Sequence, residues 1–433
     1  AASFVLGRYP TEGNLMCPRY SHGEGNRYHT IIIDLGDIAI TGLRRIALDK
    51  EWSDLGAVEH PEYGFPILTR QLSETRSVRV TDSPAPDPRD TVWTNVDETT
   101  TTDFAWVKFY DGTQTVADPM LLDKYGNHPE RPWSADMVGI GLPYAIITLD
   151  LNRDVSPKIP DLRFEVDGIP LYDPRFDTTV GGSGSQRADD PSTWVSSNNP
   201  QVQNYNIARG ISLPNGRVYG GGFAAADLPL ANWFAAMNEC DQVVDAPGDG
   251  TEPQYISGYE VGVDMEPAAV MEEIGKGCSA KFVEDAGQIM TRCGPAALPV
   301  MYYERGDILD GYEASATPFP PMSEAYNGVR ASYLEPDEVW EPKDAPGAYS
   351  EALLAEDGGQ ENIADLNFTT VWSAGQVQRL LQYWLRDNRR FRRQTLALGA
   401  AFLALQPLDV VGEVVDGDQA GAKLDEVGQI TRS

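Results

Sequence analysis

Apolar residues along this chain recur mostly at every second position in short runs, and at helical spacing in only a few places. Residues 28–49 read as two or three strands: Ile31 to Ile33 are β-branched, Gly36-Asp37 punctuates, and Ile38 and Ile40 alternate before Gly42. A strand from Phe104 runs into the Asp111-Gly112 turn, another covers residues 144–151, and Leu162, Phe164 and Val166 alternate up to Asp167-Gly168. Residues 71–104 are rich in Thr, Asp and Pro, which predicts an excursion from the core, an inserted hairpin or loop module. A short helix is expected after Asp118, which can cap it, with Pro119 at the first helical position. Leu230, Trp233, Phe234 and Met237 fall at i, i+3, i+4 and i+7, so residues 225–244 predict a helix with Asp227 as its cap. Residues 266–294 read as helix, strand, tight Ala286-Gly287 turn and strand. A long helix with the stripe Val377, Leu380, Leu381, Trp384 and Leu385, followed by strands, is expected over 373–412. Residues 178–200 form a polar loop, and 303–366 read as mostly loop with acidic runs.

At 433 residues the chain exceeds one ordinary core; the length prior is about three domains of ~150 residues. Its 41 Gly and 31 Pro fit β structure with many turns. Charge changes the picture more: 65 acidic against 34 basic residues give a net −31. Such a surface repels nucleic acid, and suits either halotolerant solubility or the wall of a channel through which a polyanion slides. Cys17, Cys240, Cys278 and Cys293 are widely spaced without a C-x-x-C, which predicts reduced, partly buried thiols, with a Cys278–Cys293 bridge as the alternative. The opening AASFVLGRYPTEG has neither a charged start nor a long apolar region, and no apolar run is long enough to span a membrane. Neither a secretory signal nor a membrane span is expected.

Catalytic patterns are scarce. Cys17, His22 and His29 match no zinc spacing, and Cys17 with His22 lacks an orienting partner for thiol catalysis. The glycine clusters at 181–184 and 220–222 lack the strand-turn-helix context and the Lys-Ser/Thr of a phosphate loop. No cofactor, metal or catalytic residue is therefore expected. Arg386, Arg389, Arg390, Arg392 and Arg393 crowd the end of the long helix, where the helix dipole favours cations. On so acidic a chain they point, with Arg379, to ion pairs between domains or subunits rather than to nucleic acid.

The stretch LRFEVDGIPLYDPR, followed by WVSSNNPQVQNYNIARGI, resembles the tip attachment proteins of lambda-like siphophages and the related tail proteins of marine bacteriophages and gene transfer agents. Tyr172, Asp173, Pro174, Trp194, Asn198, Asn199 and Pro200 occupy the places of that family's bend, its Trp and its Asn-Pro element before a short helix. The resemblance continues in order through the helix ending in Cys240-Asp241, the module 250–294, the Gln376-x-x-Arg379 helix and LQPLDVV, where Leu408 replaces the family's glycine. Family members run on into fibronectin-like or receptor-binding modules, whereas this sequence ends at Ser433.

The resemblance implies a mainly β fold with α+β modules, in which β-barrel-like hub domains form a trimeric ring at the distal end of a tail tube. It implies a first hub domain over 1–59 plus 139–177, an inserted module over 60–138, an α+β module over 178–300 and a second hub domain over 301–433. The expected role is structural, in a virion tail tip assembled in the host cytoplasm: closure of the tube and a channel for genome ejection. Partners would be further copies of the chain, other tip, distal-tail and hub proteins and the tape measure protein, with DNA crossing the lumen unbound. Gly168, Tyr172, Asp173, Pro174, Arg175 and Trp194 would build the turn, with Gly168 permitting the reversal, Pro174 fixing φ and Tyr172 anchoring it. Arg379, Arg386, Arg389 and Arg390 are the interface candidates. Two other classes stay open: a tail-associated hydrolase using two carboxylates roughly 5–9 Å apart, and a glycan-binding attachment module with Trp93, Trp106 and Trp133 exposed on one face.

Overall fold

The structure, a computed structural model, describes residues 2–79, 93–151, 158–248, 250–295, 298–309, 315–317, 321–389, 393–415 and 418–427. The chain divides into a smaller unit, Pro10–Val166, and a larger one formed by Ala1–Tyr9 with Asp167–Ser433.

The smaller unit is built on an antiparallel sheet in the order Asn14–Leu15, Tyr28–Asp34, Tyr144–Asp150, Trp93–Tyr110 and Phe65–Arg79, with Tyr20–His22 also pairing with Tyr28–Asp34. Tyr144–Asp150 is buried along its whole length, as its nearly unbroken apolar run requires of a central strand. The Thr-rich excursion is a hairpin: Phe65–Arg79 and Trp93–Tyr110 stay paired from Phe65 opposite Val107 to Arg79 opposite Trp93. The helix α1, Pro119–Tyr125, starts where its cap signals place it. Asp118 Oδ1 accepts the Leu121 N–H at 2.8 Å, while Oδ2 accepts from Tyr110 at 2.7 Å and Lys108 at 3.1 Å. Met120, Leu121 and Tyr125 then pack with Tyr20, Ile32, Trp106 and Ile146. A second sheet brings Leu162–Asp167 beside Gly42–Leu48 and Glu51–Ser53.

In the larger unit the strand Ser3–Leu6 pairs antiparallel with Tyr259–Gly262. Helices α2 (Pro200–Arg209), α3 (Leu230–Cys240) and α4 (Pro267–Lys276) follow one another. The hairpin Lys281–Asp285/Gln288–Arg292 turns at Ala286 and Gly287, both at positive φ (52° and 82°), the geometry that matches strand twist in a two-residue turn. Beyond it lie α5 (Glu351–Glu356) and α6 (Ala374–Asn388). Ser373 caps α6 by accepting the Gln376 N–H, and Val377, Leu380, Leu381 and Leu385 meet Val329, Ala331 and Tyr333 in one core.

Three expectations need correction. Residues 303–366 are not mostly loop: Gly328–Glu335 lies between Glu341–Tyr349 (antiparallel) and Ile363–Phe368 (parallel). The alternation Val329, Ala331, Tyr333 carries that sheet, and the prolines and acids of Glu341–Tyr349 obscure it in the sequence. Asp227 does not cap α3, whose cap position is Pro229; its carboxylate accepts the Ala224 N–H and closes a preceding 3-10 turn instead. The helix α2 follows Asn199-Pro200, where the resemblance places a short helix. The fold is mainly β with α+β modules, but each sheet among the described residues is open rather than closed into a barrel. Leu408, the residue at the family's glycine position, adopts φ 74°, so the turn keeps a left-handed geometry with a leucine in it.

Candidate functional site

The turn after Leu162–Asp167 begins with a close approach, not a reversal. Gly168 donates to Gly7 O at 2.7 Å and Ile169 to Val5 O at 2.8 Å. A Cβ on Gly168 would overlap the Val5 carbonyl and sit 2.9 Å from Gly7 O. Its φ is not positive, so glycine is required here for space and not for backbone freedom.

Tyr172 is buried, and its hydroxyl donates to Asp177 Oδ2 at 2.8 Å. Burial and this carboxylate push the phenol pKa up. Asp177 accepts the Thr179 hydroxyl and amide at 2.6 and 2.8 Å and lies 3.2 Å from Arg187. The Thr179 bonds, with those from Tyr172 and Arg187, outweigh burial and hold its pKa down at about 2. Arg209 lies 4.6 Å from the Tyr172 ring centre and 5.7 Å from that of Trp194, whose indole N–H donates to Arg187 O at 2.7 Å. The polar loop is thus folded back on the turn, with Leu171 bridged to Val195.

Asp173 and Pro174 open a 3-10 turn, Asp173 accepting the Arg175 N–H at 3.0 Å. The Arg175 guanidinium returns to Asp173 at 2.6 Å and reaches Asn238 at 3.0 Å and Asp241 at 2.8 Å, tying the turn to the end of α3. Burial opposes its charge, but these partners keep its pKa above the ordinary value.

The residues missed from sequence are on α2 and, for Gln186, in the polar loop before it. Asn206 Oδ1 accepts the Tyr172 N–H at 3.1 Å and its Nδ2 donates to Tyr172 O at 2.8 Å. Gln186 Oε1 accepts the Asp173 N–H at 2.8 Å. Gln203 exchanges hydrogen bonds with Ser257 at 2.7 and 2.8 Å, and Gln201 accepts from Thr291 at 3.2 Å. Asn199 caps the helix and donates to Met237 O at 2.8 Å. Every residue from Pro200 to Ala208 is buried, so this polar helix is an internal connector whose amides hold the surrounding backbones. Its sequence signal was Asn199-Pro200, a cap followed by a first-turn proline.

Of the arginines, Arg379 bonds Glu252 at 2.8 Å and Gln254 O at 2.9 Å, linking residues of two expected modules that the structure places in one compact unit. Arg389 clamps Asp357 with both terminal nitrogens and donates to Tyr326 O at 2.7 Å. Arg386 is exposed and lines a groove of about 650 Å³ with Tyr349, Leu353, Gln382 and Leu385. Arg390 lies outside the described residues.

Trp106 and Trp133 are buried, so they do not form the exposed aromatic face of a glycan platform; the Trp93 side chain lies outside the described residues. Trp133 lines an apolar cleft of about 650 Å³ with Tyr20, Tyr144, Met16 and Met137. Cys17, His22 and His29 do not form a metal site: among the described residues no group of three His, Cys, Asp or Glu could hold an ion. His22 instead lies between the hydroxyls of Tyr125 at 2.7 Å and Tyr63 at 3.0 Å. No helix among the described residues is long and apolar enough to cross a membrane.

Residues 266–427 match the model of a family described as "Putative phage tail protein", so the resemblance to phage tail proteins is shown over that region. The fold of the whole chain is similar to that of a chain in the structure described as "Virion of native gene transfer agent (GTA) particle". The similarity covers 100% of this chain and 84% of that one, with a TM-score of 0.58 at 13% sequence identity. No curated protein sequence matches the chain.

Proposed function

We propose that this protein is a structural component of a siphophage-type tail tip, and that three copies close the distal end of the tail tube around the channel used for genome ejection. The observation that carries the reading is the phage tail match over 266–427, within a chain whose whole length shares the fold of a virion component. The turn at 168–194 fits it: buried acids, arginines and amides hold one another in place, an arrangement suited to bearing load rather than to making or breaking bonds. The protein acts by shape, at the virion's distal tip, after assembly in the host cytoplasm. Its partners are its own copies, the neighbouring tip, distal-tail and hub proteins and the tape measure protein. The net charge of −31 supports a lumen that passes DNA without holding it. The open sheets fit a ring in which closure comes from neighbouring copies.

Arg379 and Arg389 already have partners inside the larger unit, so among the described candidates the contact between copies is assigned to Arg386 and the Tyr349 groove beside it. Arg386→Glu should leave the thermal unfolding of the isolated protein unchanged. It should lower the yield of complete tails by ~10-fold or more, because a reversed charge at a contact meets like charge. Unchanged particle yield would remove Arg386 from the interface.

A further inference from the structure

Three cysteines far apart in sequence converge in the core of the larger unit. Cys240 ends α3, Cys278 follows α4, and Cys293 follows the strand Gln288–Arg292. The Sγ atoms of Cys240 and Cys293 are 3.6 Å apart, and Cys293 donates its thiol hydrogen to Ala236 O at 3.1 Å. Cys278 donates to Gly275 O at 3.5 Å, accepts from Gln201 Nε2 at 3.4 Å and also lies within hydrogen-bonding reach of Cys240. All four cysteines are free thiols, and the sulfur contact seen is Cys240 with Cys293, not Cys278 with Cys293, the pairing given as the alternative.

A buried thiol ordinarily serves as a small apolar filler. This pair differs in its sulfur-to-sulfur contact and in its fixed carriers. The Cys240 carbonyl accepts the Tyr255 N–H at 3.0 Å, and Gly294, next to Cys293, donates to Cys278 O at 2.9 Å.

We propose that Cys240 and Cys293 are a latent cross-link, closed by a peroxide-class oxidant once the protein leaves reducing surroundings. Cys293, 5% exposed against 0% for Cys240, meets the oxidant first. Its sulfur attacks one peroxide oxygen, the O–O bond breaks, and the departing hydroxide takes up the thiol proton as water, leaving a sulfenic acid. The Cys240 sulfur then attacks Cys293 Sγ. The S–O bond breaks, and the hydroxide leaves with the Cys240 proton as a second water. Two thiols give up two electrons and hydrogen peroxide accepts them. The bridge joins residues 53 apart in sequence and fastens the end of α3 to the hairpin, restricting the unfolded chain and slowing loss of structure in a free particle.

The test uses the full chain carrying Cys17→Ser, which leaves three thiols, treated with hydrogen peroxide while folded and then denatured and alkylated. The proposal expects one free thiol, a mass lower by two hydrogens, and a proteolytic fragment joining the Cys240 and Cys293 peptides. Dithiothreitol should restore three thiols, and the oxidised form should unfold several degrees higher. Adding Cys278→Ser should leave the cross-link intact, and adding Cys293→Ser should abolish it. Three titratable thiols after oxidation, or a bridge that uses Cys278, would overturn the proposal on the unsubstituted site, whatever the variants do.

Discussion

Alanine at position 168 is expected to destabilise the larger unit by about 2–3 kcal/mol, and valine by more. The added Cβ meets main chain, not a mobile side chain: it overlaps the carbonyl of Val5, whose oxygen already accepts the Ile169 N–H. Relief requires the strand Ser3–Leu6 to move, and that strand is held by its ladder to Tyr259–Gly262. Gly181 supplies the control. It has φ 94°, and a Cβ added there would meet nothing within 4 Å, so alanine brings backbone strain without a clash; about 1 kcal/mol is expected. Urea unfolding followed by tryptophan fluorescence measures both. A Gly168→Ala midpoint no lower than that of Gly181→Ala would show that close packing of strand on turn is not what glycine provides.

Asn206→Ala should lower stability by about 2–5 kcal/mol. It strips partners from the N–H and the C=O of buried Tyr172 at once, and each buried group left unpaired costs about 1–3 kcal/mol. Volume and hydrogen bonding can be separated. Asn206→Leu refills the space but satisfies neither group, so it should be no better than alanine. A leucine variant as stable as the parent would mean that α2 contributes by packing alone, and that the turn is held from elsewhere.

These two residues also mark where the sequence was readable. The helix α1 was legible because Asp118 and Pro119 carry a local, short-range signal. The Ala286-Gly287 hairpin and the apolar stripe of α6 were legible for the same reason. The polar helix α2 was not found by periodicity, since the apolar stripe that would reveal a helix is missing when every face is buried. The sheet in 303–366 was hidden because prolines and acids interrupt its edge strand Glu341–Tyr349. Gly168 was legible as important but not in its role, because a close approach depends on the distant strand Ser3–Leu6. The same holds for the sulfurs: which cysteine faces Cys293 is decided by the packing of α3 on the hairpin, which no spacing rule contains.

The proposed function requires that this chain form a threefold structural collar at the far end of a tail tube. A cryo-electron microscopy reconstruction of intact tails tests it most directly. The expected result is density at the distal tip that accommodates three copies related by threefold symmetry, with Arg386 at the contact between neighbours and acidic side chains facing the channel. Single unpaired copies there, or a position in the capsid or along the tube shaft, would contradict it.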